Sequence, residues 1–302
     1  MPAFRLTPAL RRRLQALRHV VLDLDGTLYR GAGLFPATLP FLAQLTSAGI
    51  GYTFLTNNNS LSRAATVAKL RARGLPATLE QVRTSTQSAF DFLRRRRPRL
   101  RRLLALGTAS FRTELRQAGF HLIDPDQGRH ARPGATQVPD AVLLAFDQEL
   151  SYDRLCLASH WVAQGKPFFA THPDRVCPSD PGTVLVDCGA IAAAITAATG
   201  VAPRTFGKPD PAVLREVART AQVPMAALAM VGDRLYTDIA MARAAGALAV
   251  LVLSGETTRA QAGAAAAGGR KNPQRPDLTV VDIAALGGML AAARGGLAKS
   301  ER

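Results

Sequence analysis

Four aspartates stand in two pairs at the ends of apolar segments of the sequence. Asp23 and Asp25 close VVLDLDGT, and Asp233 and Asp238 lie in LAMVGDRLYTD. In open α/β sheets, ligands bind at the carboxyl ends of the parallel strands, so two such pairs can converge there. Carboxylates within a few ångströms of one another repel, and a hard divalent cation with oxygen ligands, Mg²⁺ by default, relieves that repulsion. The alternative is that DG and GD merely mark turns that cap helices.

A hydroxyl and several amides follow a third apolar segment. Thr56 and Asn57 begin TNNNS, whose side-chain and backbone donors suit the oxygens of a phosphate, although taken alone the segment is better explained as a helix N-cap. Lys208 lies in TFGKPDP before a predicted helix, where an ammonium can neutralise charge that develops on a phosphoryl group. Taken alone, Lys208 is a surface lysine.

Short apolar segments alternate with longer helical ones along the chain, which predicts an α/β fold with a mainly parallel sheet. Unbroken segments such as ALAMV and ALAVLVL predict central strands covered on both faces. The predicted strands are 19–23, 51–56, 227–231 and 247–253, and the predicted helices are 38–48, 63–73, 211–221 and 238–245. Further predicted strands, LLAL, AVLLAF, PFFAT and TVLV, indicate a second domain between 88 and 188. Residues 256–277 are predicted to form a flexible loop before a last strand and helix.

The composition is that of an ordinary globular protein. With 302 residues, the chain is long enough for two domains or for one large domain with an insertion. The sequence has no apolar run long enough to span a membrane and no pattern of a secretory signal, and its three cysteines suit a reducing compartment, so we expect a cytoplasmic protein. A net charge of +16 attracts phosphate-bearing partners of any size.

Four motifs in order, DLDGT, FLTNNN, GKPDP and GDRLYTD, resemble those of the haloacid-dehalogenase-like (HAD) phosphatase superfamily. LDLDGTLYRGAGLFPAT, FGKPDPAVL and LVLSGETT are similar to subfamily IIA, which includes p-nitrophenyl, NagD-like, phosphoglycolate and pyridoxal phosphate phosphatases. The resemblance implies a Rossmann-like parallel-sheet core with an inserted α/β class-II cap domain. We place the core at 1–86 and 190–302 and the cap at 87–189.

The resemblance also implies a role for each aspartate. Asp23 is the expected nucleophile, which forms an aspartyl phosphate, and Asp25 the expected acid and base. Mg²⁺ is expected on Asp23, the backbone carbonyl of Asp25 and Asp233. Asp238 is expected to orient the surroundings of the metal.

By the same resemblance, Thr56, the N–H of Asn57 and Lys208 bind the phosphoryl group, and Tyr29 to Gly33 form a flap beside the nucleophile. In the cap, AFDQELSY resembles a loop that selects the substrate, which makes Asp147 a candidate for specificity. His172 is a second candidate, because relatives commonly carry asparagine there.

We therefore expect a Mg²⁺-dependent phosphatase that acts on a small phosphate monoester. The candidate substrates are sugar phosphates, nucleoside monophosphates, phosphoglycolate, pyridoxal phosphate and p-nitrophenyl phosphate. The alternatives are a metal-independent dehalogenase of the same superfamily and a basic nucleic-acid-binding protein on a phosphatase scaffold. We expect no membrane partner. Nucleic acid is an unfavoured partner, because no recognition module surrounds the arginine-rich segment 94–102. The sequence leaves a homodimer open.

A zinc site is also disfavoured. Cys156, His160, His172 and Cys177 fit no zinc-finger or zinc-ribbon spacing. Cysteine and histidine on a helix are more often simply packed.

Overall fold

The computed structural model describes residues 6–126, 138–177, 185–269 and 271–295. Its helices are α1 (Pro8–Gln15), α2 (Thr38–Ser47), α3 (Arg63–Ala72), α4 (Ser85–Arg96), α5 (Ala109–Gln117), α6 (Tyr152–Ala163), α7 (Cys188–Thr199), α8 (Ala212–Thr220), α9 (Ala240–Ala245), α10 (Arg259–Ala267) and α11 (Ile283–Gly295). A 3₁₀ turn lies at Met225–Ala227 and a π-helical turn at Leu235–Ile239. Within these residues, each helix is too short or too polar to cross a membrane.

The strands of the described residues are β1 (His19–Asp23), β2 (Tyr29–Arg30), β3 (Gly33–Leu34), β4 (Gly51–Thr56), β5 (Val82–Thr84), β6 (Arg102–Leu106), β7 (His121–Ile123), β8 (Ala141–Leu144), β9 (Phe168–Ala170), β10 (Val176–Cys177), β11 (Leu185–Val186), β12 (Arg204–Thr205), β13 (Leu228–Gly232), β14 (Leu248–Val252) and β15 (Leu278–Val280). The predicted fold class, α/β with a Rossmann-like parallel-sheet core and an inserted α/β cap domain, is confirmed.

The chain divides into two compact units. The first comprises Met1–Leu55, Ala72–Pro76 and Pro211–Arg302, and the second comprises Thr56–Arg71 and Ala77–Asp210. The domain boundaries that we drew from the sequence, at 86/87 and 189/190, stay a prediction.

In the first unit, the parallel strands of the sheet run in the order β15-β14-β13-β1-β4. Leu22, Met230 and Val250 are fully buried, as expected for strands that are covered on both faces. β1 lies between β13 and β4, so Asp23 at its end has Leu55 as its partner in β4, while Asp233 directly follows β13. The sheet thus brings two of the predicted carboxylates to neighbouring strand ends.

The second unit has its own parallel sheet, in the order β12-β9-β8-β6-β7. Its central strand β8 is buried along its whole length. Fully buried Phe111 of α5 lies in one cluster with β8, and nearly buried Trp161 of α6 lies in another that also includes β8 residues. The predicted strands LLAL, AVLLAF and PFFAT correspond to β6, β8 and β9, and the described part of TVLV to β11.

The expectation of a flexible loop over 256–277 is wrong for its first half, which contains α10. Thr258 and Gln261 form a capping box: Gln261 Oε1 accepts from Thr258 N at 2.8 Å, and Thr258 Oγ1 accepts from Gln261 N at 3.3 Å. Ala262 and Ala265 are buried on one face of the helix. The alanine-rich composition that resembled a linker is also that of a good helix former.

Candidate active site

A cluster of three buried carboxylates lies at the strand ends of the first unit. Asp23, Asp233 and Asp238 each place an oxygen within 4.8 Å of the others. Asp23 is 7% exposed and Asp238 is fully buried. Asp238 lies in the π-helical turn, where its Oδ2 accepts from Arg234 N at 3.1 Å. From the sequence we expected Asp238 to orient the surroundings of a metal held by Asp23, Asp25 and Asp233. In the structure, the Asp238 carboxylate lies in one cluster with those of Asp23 and Asp233.

Two glycines, Gly26 and Gly255, pack against the side chain of Asp233. A Cβ on Gly26 or Gly255 would overlap its carboxylate, and Gly26 also has a φ of +77°, which favours glycine. Glu256 N donates to Asp233 Oδ2 at 2.6 Å. The loop after β14 therefore closes over Asp233 with an N–H group, which steadies one of its oxygens.

The first-unit cluster fits the divalent cation that the resemblance implies. Burial, followed by the charges of Asp23 and Asp238, raises the pKa of Asp233 to about 7. Asp233 Oδ1 is buried and has no hydrogen-bond partner among the described residues. Mutual repulsion and an unsatisfied oxygen are what a hard cation with oxygen ligands removes. Asp23, Asp233 and Asp238 offer the carboxylates for it.

Asp25 differs from these three because its side chain is exposed. Tyr29 Oη donates to Asp25 Oδ2 at 3.2 Å, and Gly26 N donates to Tyr29 O at 2.8 Å, so a tight turn ties the two residues together. Burial and the adjacent Asp25 raise the pKa of the Tyr29 phenol, which therefore stays a donor. The guanidinium of Arg73 lies 4.3 Å from the centre of the Tyr29 ring. The predicted flap is the β2–β3 hairpin.

The predicted phosphate-binding residues Thr56, Asn57 and Lys208 belong to the second unit and are all nearly buried. Thr56 Oγ1 accepts from the backbone N of Asn58 at 3.0 Å. The alternative explanation of TNNNS as a helix N-cap is wrong, because α3 begins only at Arg63 and its first turn is capped by Ser62, whose Oγ accepts from Ala65 N at 3.2 Å.

Asn57 and Lys208 lie side by side. Asn57 Nδ2 donates to Lys208 O at 2.9 Å, and Lys208 N donates to Asn57 Oδ1 at 2.8 Å. Burial of Lys208 also sets aside the alternative that it is an ordinary surface lysine, since it is 4% exposed.

The candidate specificity residue Asp147 is buried in the second unit. Its Oδ2 lies 3.6 Å from Arg154 Nη1, and its Oδ1 accepts from Glu149 N at 2.9 Å. Burial raises the pKa of the Asp147 carboxyl. Arg154 also makes a two-pronged ion pair with Asp126, at 2.6 and 2.7 Å. Asp147 thus helps to hold the shape of its loop.

His172, the second candidate, is fully buried with both ring nitrogens engaged. Asn59 Nδ2 donates to Thr171 Oγ1 at 2.7 Å, and the same hydroxyl lies 3.0 Å from His172 Nδ1. On the other side of the ring, His172 Nε2 lies 2.9 Å from Asp187 Oδ1, which can accept a hydrogen bond from it. An influence of His172 on substrate choice stays a prediction, and these contacts would transmit it through Asp187.

Sequence reasoning missed Asp174 and Asp187, which lie with His172 in a second group of ligand-type atoms within 4.8 Å of one another. The group therefore contains a histidine–carboxylate pair, since His172 Nε2 and Asp187 Oδ1 lie within hydrogen-bond distance. The discounted zinc set of Cys156, His160, His172 and Cys177 forms no such group among the described residues.

Family models match both segments of the chain that carry the motifs. One, described as haloacid dehalogenase-like hydrolase, matches residues 20–121, and another, described as HAD-hydrolase-like, matches residues 205–286. The chain is also similar to a dihydroxyacetone phosphatase from Corynebacterium glutamicum, with 30% identity over 264 residues, which cover 87% of this chain and 88% of the relative.

Two solved structures resemble this one. The 4-nitrophenylphosphatase of Thermotoga maritima is 35% identical, with a TM-score of 0.80 over 91% of this chain and 98% of its own. A glycerol phosphate phosphatase from Mycobacterium tuberculosis, solved in complex with magnesium, is 30% identical, with a TM-score of 0.78 over 90% of this chain and 78% of its own. The chain belongs to the haloacid dehalogenase-like hydrolase family. It is a hydrolase, and its relatives named here are phosphatases.

Proposed function

We propose that this chain is a divalent-metal-dependent phosphatase that hydrolyses a small phosphate monoester through an aspartyl phosphate on Asp23. The observation that carries the proposal is the buried cluster of Asp23, Asp233 and Asp238, in which burial and then the two neighbouring charges raise the pKa of Asp233. Three close carboxylates are costly in a fold that holds no cation, and they suit one that does.

Asp23 supplies the attacking oxygen. Thr27 Oγ1 donates to Asp23 Oδ2 at 3.3 Å, which orients the carboxylate. In the first step, an oxygen of Asp23 bonds to phosphorus while the phosphorus–oxygen ester bond breaks, and Asp25 gives its proton to the leaving oxygen. In the second step, water attacks the same phosphorus, Asp25 takes the water proton, and phosphate leaves with Asp23 restored.

The location of Asp25 suits this double use. Its exposed carboxyl can exchange protons with solvent between the two steps, whereas the buried cluster cannot do so readily. The hydrogen bond from Tyr29 limits the orientations of the carboxyl.

Mg²⁺ is the proposed cation, and when bound it would neutralise charge between the carboxylates and the phosphate. Asp23 and Asp233 would hold it, together with the backbone carbonyl of Asp25. Asp238 lies close enough to the same oxygens to orient this group or to join it. Glu256 keeps Asp233 in place through its backbone N–H.

Thr56, the N–H of Asn57 and Lys208 are the proposed ligands of the phosphoryl oxygens. Their burial strengthens each hydrogen bond and charge interaction with the phosphate. Because these residues would contact only the transferring group, discrimination among leaving groups must come from elsewhere, and we propose that Asp147 and His172 influence it.

The finer substrate identity stays open among sugar phosphates, nucleoside monophosphates, phosphoglycolate, pyridoxal phosphate and p-nitrophenyl phosphate. A dehalogenase is the second candidate, but it needs neither a metal nor the acid and base that Asp25 supplies. The nucleic-acid alternative rests on the basic charge alone. We propose a cytoplasmic location from the sparse cysteines, and a homodimer stays open.

The decisive experiment is turnover of p-nitrophenyl phosphate and of a panel of small phosphate esters, with EDTA and with Mg²⁺ restored. We expect EDTA to abolish turnover and Mg²⁺ to recover it. Turnover that survives EDTA, or release of halide from a haloacid in place of phosphate from an ester, would refute the proposal. Mass spectrometry of the trapped intermediate should place phosphate on Asp23.

A further inference from the structure

The side chain of Asn57 makes contacts that its proposed role does not use. That role needs only the backbone N–H of Asn57, yet the amide is buried and engaged at both ends. Its Nδ2 and Oδ1 pair with the carbonyl and the N–H of Lys208, at 2.9 and 2.8 Å. The amide therefore closes a two-hydrogen-bond ring with the backbone of a single residue, as a neighbouring strand would.

Two neighbouring residues fit closely around this pair of hydrogen bonds. Ser85 Oγ donates to Asn57 O at 2.9 Å, which holds Asn57 from its own backbone. On the other side, Gly207 has a φ of +69°, and a Cβ there would lie 2.5 Å from Asn57 Oδ1. Glycine is thus required at the residue before Lys208 both by its conformation and by the closeness of the amide.

We propose that the Asn57 side chain is a positioning residue that fixes the backbone from which the Lys208 ammonium extends. The inference rests on the proposed function, in which Lys208 binds the phosphoryl group. The four-carbon side chain of a lysine has a limited reach, so the location of its Cα sets which positions the ammonium can occupy. A displacement of 1 Å at a reacting group can cost about a hundredfold in rate.

A competing explanation is that Asn57 serves Asp174. Asn57 Nδ2 also donates to Asp174 Oδ2, at 3.2 Å, so removal of the amide breaks both contacts. The two explanations separate in a pair of exchanges. Asn57→Asp keeps the shape and the acceptor for Lys208 N, but places an oxygen against Lys208 O and Asp174. Adding Asp174→Asn restores a hydrogen bond between positions 57 and 174, in which residue 174 now donates and residue 57 accepts. Lys208 O still has no donor from residue 57 in this double variant.

We expect Asn57→Asp to lower kcat about a hundredfold and to raise the inhibition constant of orthovanadate about tenfold, because vanadate tests the phosphoryl-binding groups without a leaving group. Asp174→Asn alone should change kcat less than about threefold. The double variant should stay as slow as Asn57→Asp. Recovery of the double variant to within threefold of wild type would show that Asn57 acts through Asp174 and would overturn the inference.

Asn57→Ser keeps the test open if Asn57→Asp does not fold, since it removes both contacts with Lys208 without adding charge. A smaller folded fraction lowers kcat but leaves the vanadate inhibition constant unchanged. A folded Asn57→Ser protein with the wild-type vanadate constant therefore contradicts the inference.

Hydrogen exchange separates this inference from the proposed function. The Lys208 amide should lose protection in Asn57→Ser, whether or not the protein turns over an ester. A wild-type protein that hydrolyses no ester refutes the proposed function, whereas Lys208 protection that survives Asn57→Ser refutes the positioning inference.

Discussion

The phenol of Tyr29 donates a hydrogen bond to the carboxylate of Asp25 at 3.2 Å, within a turn that also joins Gly26 N to Tyr29 O. Asp25 is the exposed member of the aspartate set, and Tyr29 is nearly buried. The buried residue thus orients the exposed one, and both lie where the chain leaves β1 and enters the β2–β3 hairpin.

Tyr29→Phe should lower kcat about three- to tenfold, because a typical hydrogen bond contributes about 0.5 to 1.5 kcal/mol. The ring and its contact with Arg73 are kept, so stability should change little. Steady-state kinetics on p-nitrophenyl phosphate will measure the effect, with Tyr52→Phe in β4 as the matched control. Equal kcat in both variants would show that Tyr29 does not orient Asp25.

Asp233→Asn should raise the melting temperature of the metal-free protein, because it removes one of three mutually repelling charges. The same change should reduce the rise in melting temperature that Mg²⁺ gives to the wild type. Thermal unfolding in EDTA and in Mg²⁺ will measure both effects. Asp282→Asn lies outside the cluster and is the control. An unaltered Mg²⁺ response in Asp233→Asn would exclude Asp233 from the metal site.

Asp23→Asn should lower kcat by at least about a thousandfold with folding retained, since the amide preserves the shape but cannot attack phosphorus. Kinetics and circular dichroism on the purified variant will check the two halves of this expectation. A phosphorylated residue other than Asp23 in the wild-type protein would contradict the mechanism.

His19 should make the fold less stable in mild acid. Burial lowers the pKa of His19 from 6.5 to about 4, so between these values the unfolded chain binds a proton that the folded chain does not. The free energy of unfolding therefore keeps the full contribution of neutral His19 above pH 6.5 and loses it as the pH falls toward 4. Down to pH 5 the loss is about 1 kcal/mol, after allowance for partial exposure of the ring.

Urea unfolding at several pH values will test this behaviour of His19. His19→Gln should lose less stability on acidification than the wild type, because glutamine does not bind a proton in this range. The variant also keeps a polar group beside Thr53, whose Oγ1 lies 2.9 Å from His19 Nε2. The exposed His121→Gln should retain the wild-type slope. The expectation fails if the free energy of unfolding depends on pH with the same slope in His19→Gln and His121→Gln.

Asp147→Asn and His172→Asn should each change the ratios of kcat/KM among bulky esters about ten- to a hundredfold, which corresponds to about 1.4 to 2.7 kcal/mol. Their contacts with Arg154 and Asp187 mean that they would act by reshaping the surrounding loops. Orthovanadate should inhibit wild type and both variants about equally. A substrate ranking that neither exchange alters would remove both residues from specificity.

Local sequence signals predicted the strands that carry the first-unit site. β1 and β4 have the predicted bounds, because an apolar run followed by Asp or Thr marks both a strand and its polar end. The predicted helix over 238–245 is a π-helical turn followed by α9. No local pattern indicates a π-helical turn, and that turn brings Asp238 into the cluster.

Contacts between distant parts of the sequence could not be predicted in this way. Asn57 meets Lys208 only because the fold of the second unit returns the chain after about 150 residues. Asp174 and Asp187 lie only two and fifteen residues from His172, but the sequence around them carries no recognisable motif for this group. Residue type and spacing predict which groups can do chemistry, but tertiary packing decides which of them meet.

The pairing of β1 with β13 joins strands about 200 residues apart in the chain. During synthesis on the ribosome, β1 is made early and its β13 partner late, so one edge of β1 stays uncovered for most of translation. At about 5 to 20 residues per second, that interval lasts on the order of 10 to 40 s. A chain that stalls before residue 228 would display the apolar edge of His19–Asp23 to other chains, which is the form of exposure that leads to aggregation. Yield in cells should therefore depend on elongation speed and chaperone supply across this interval.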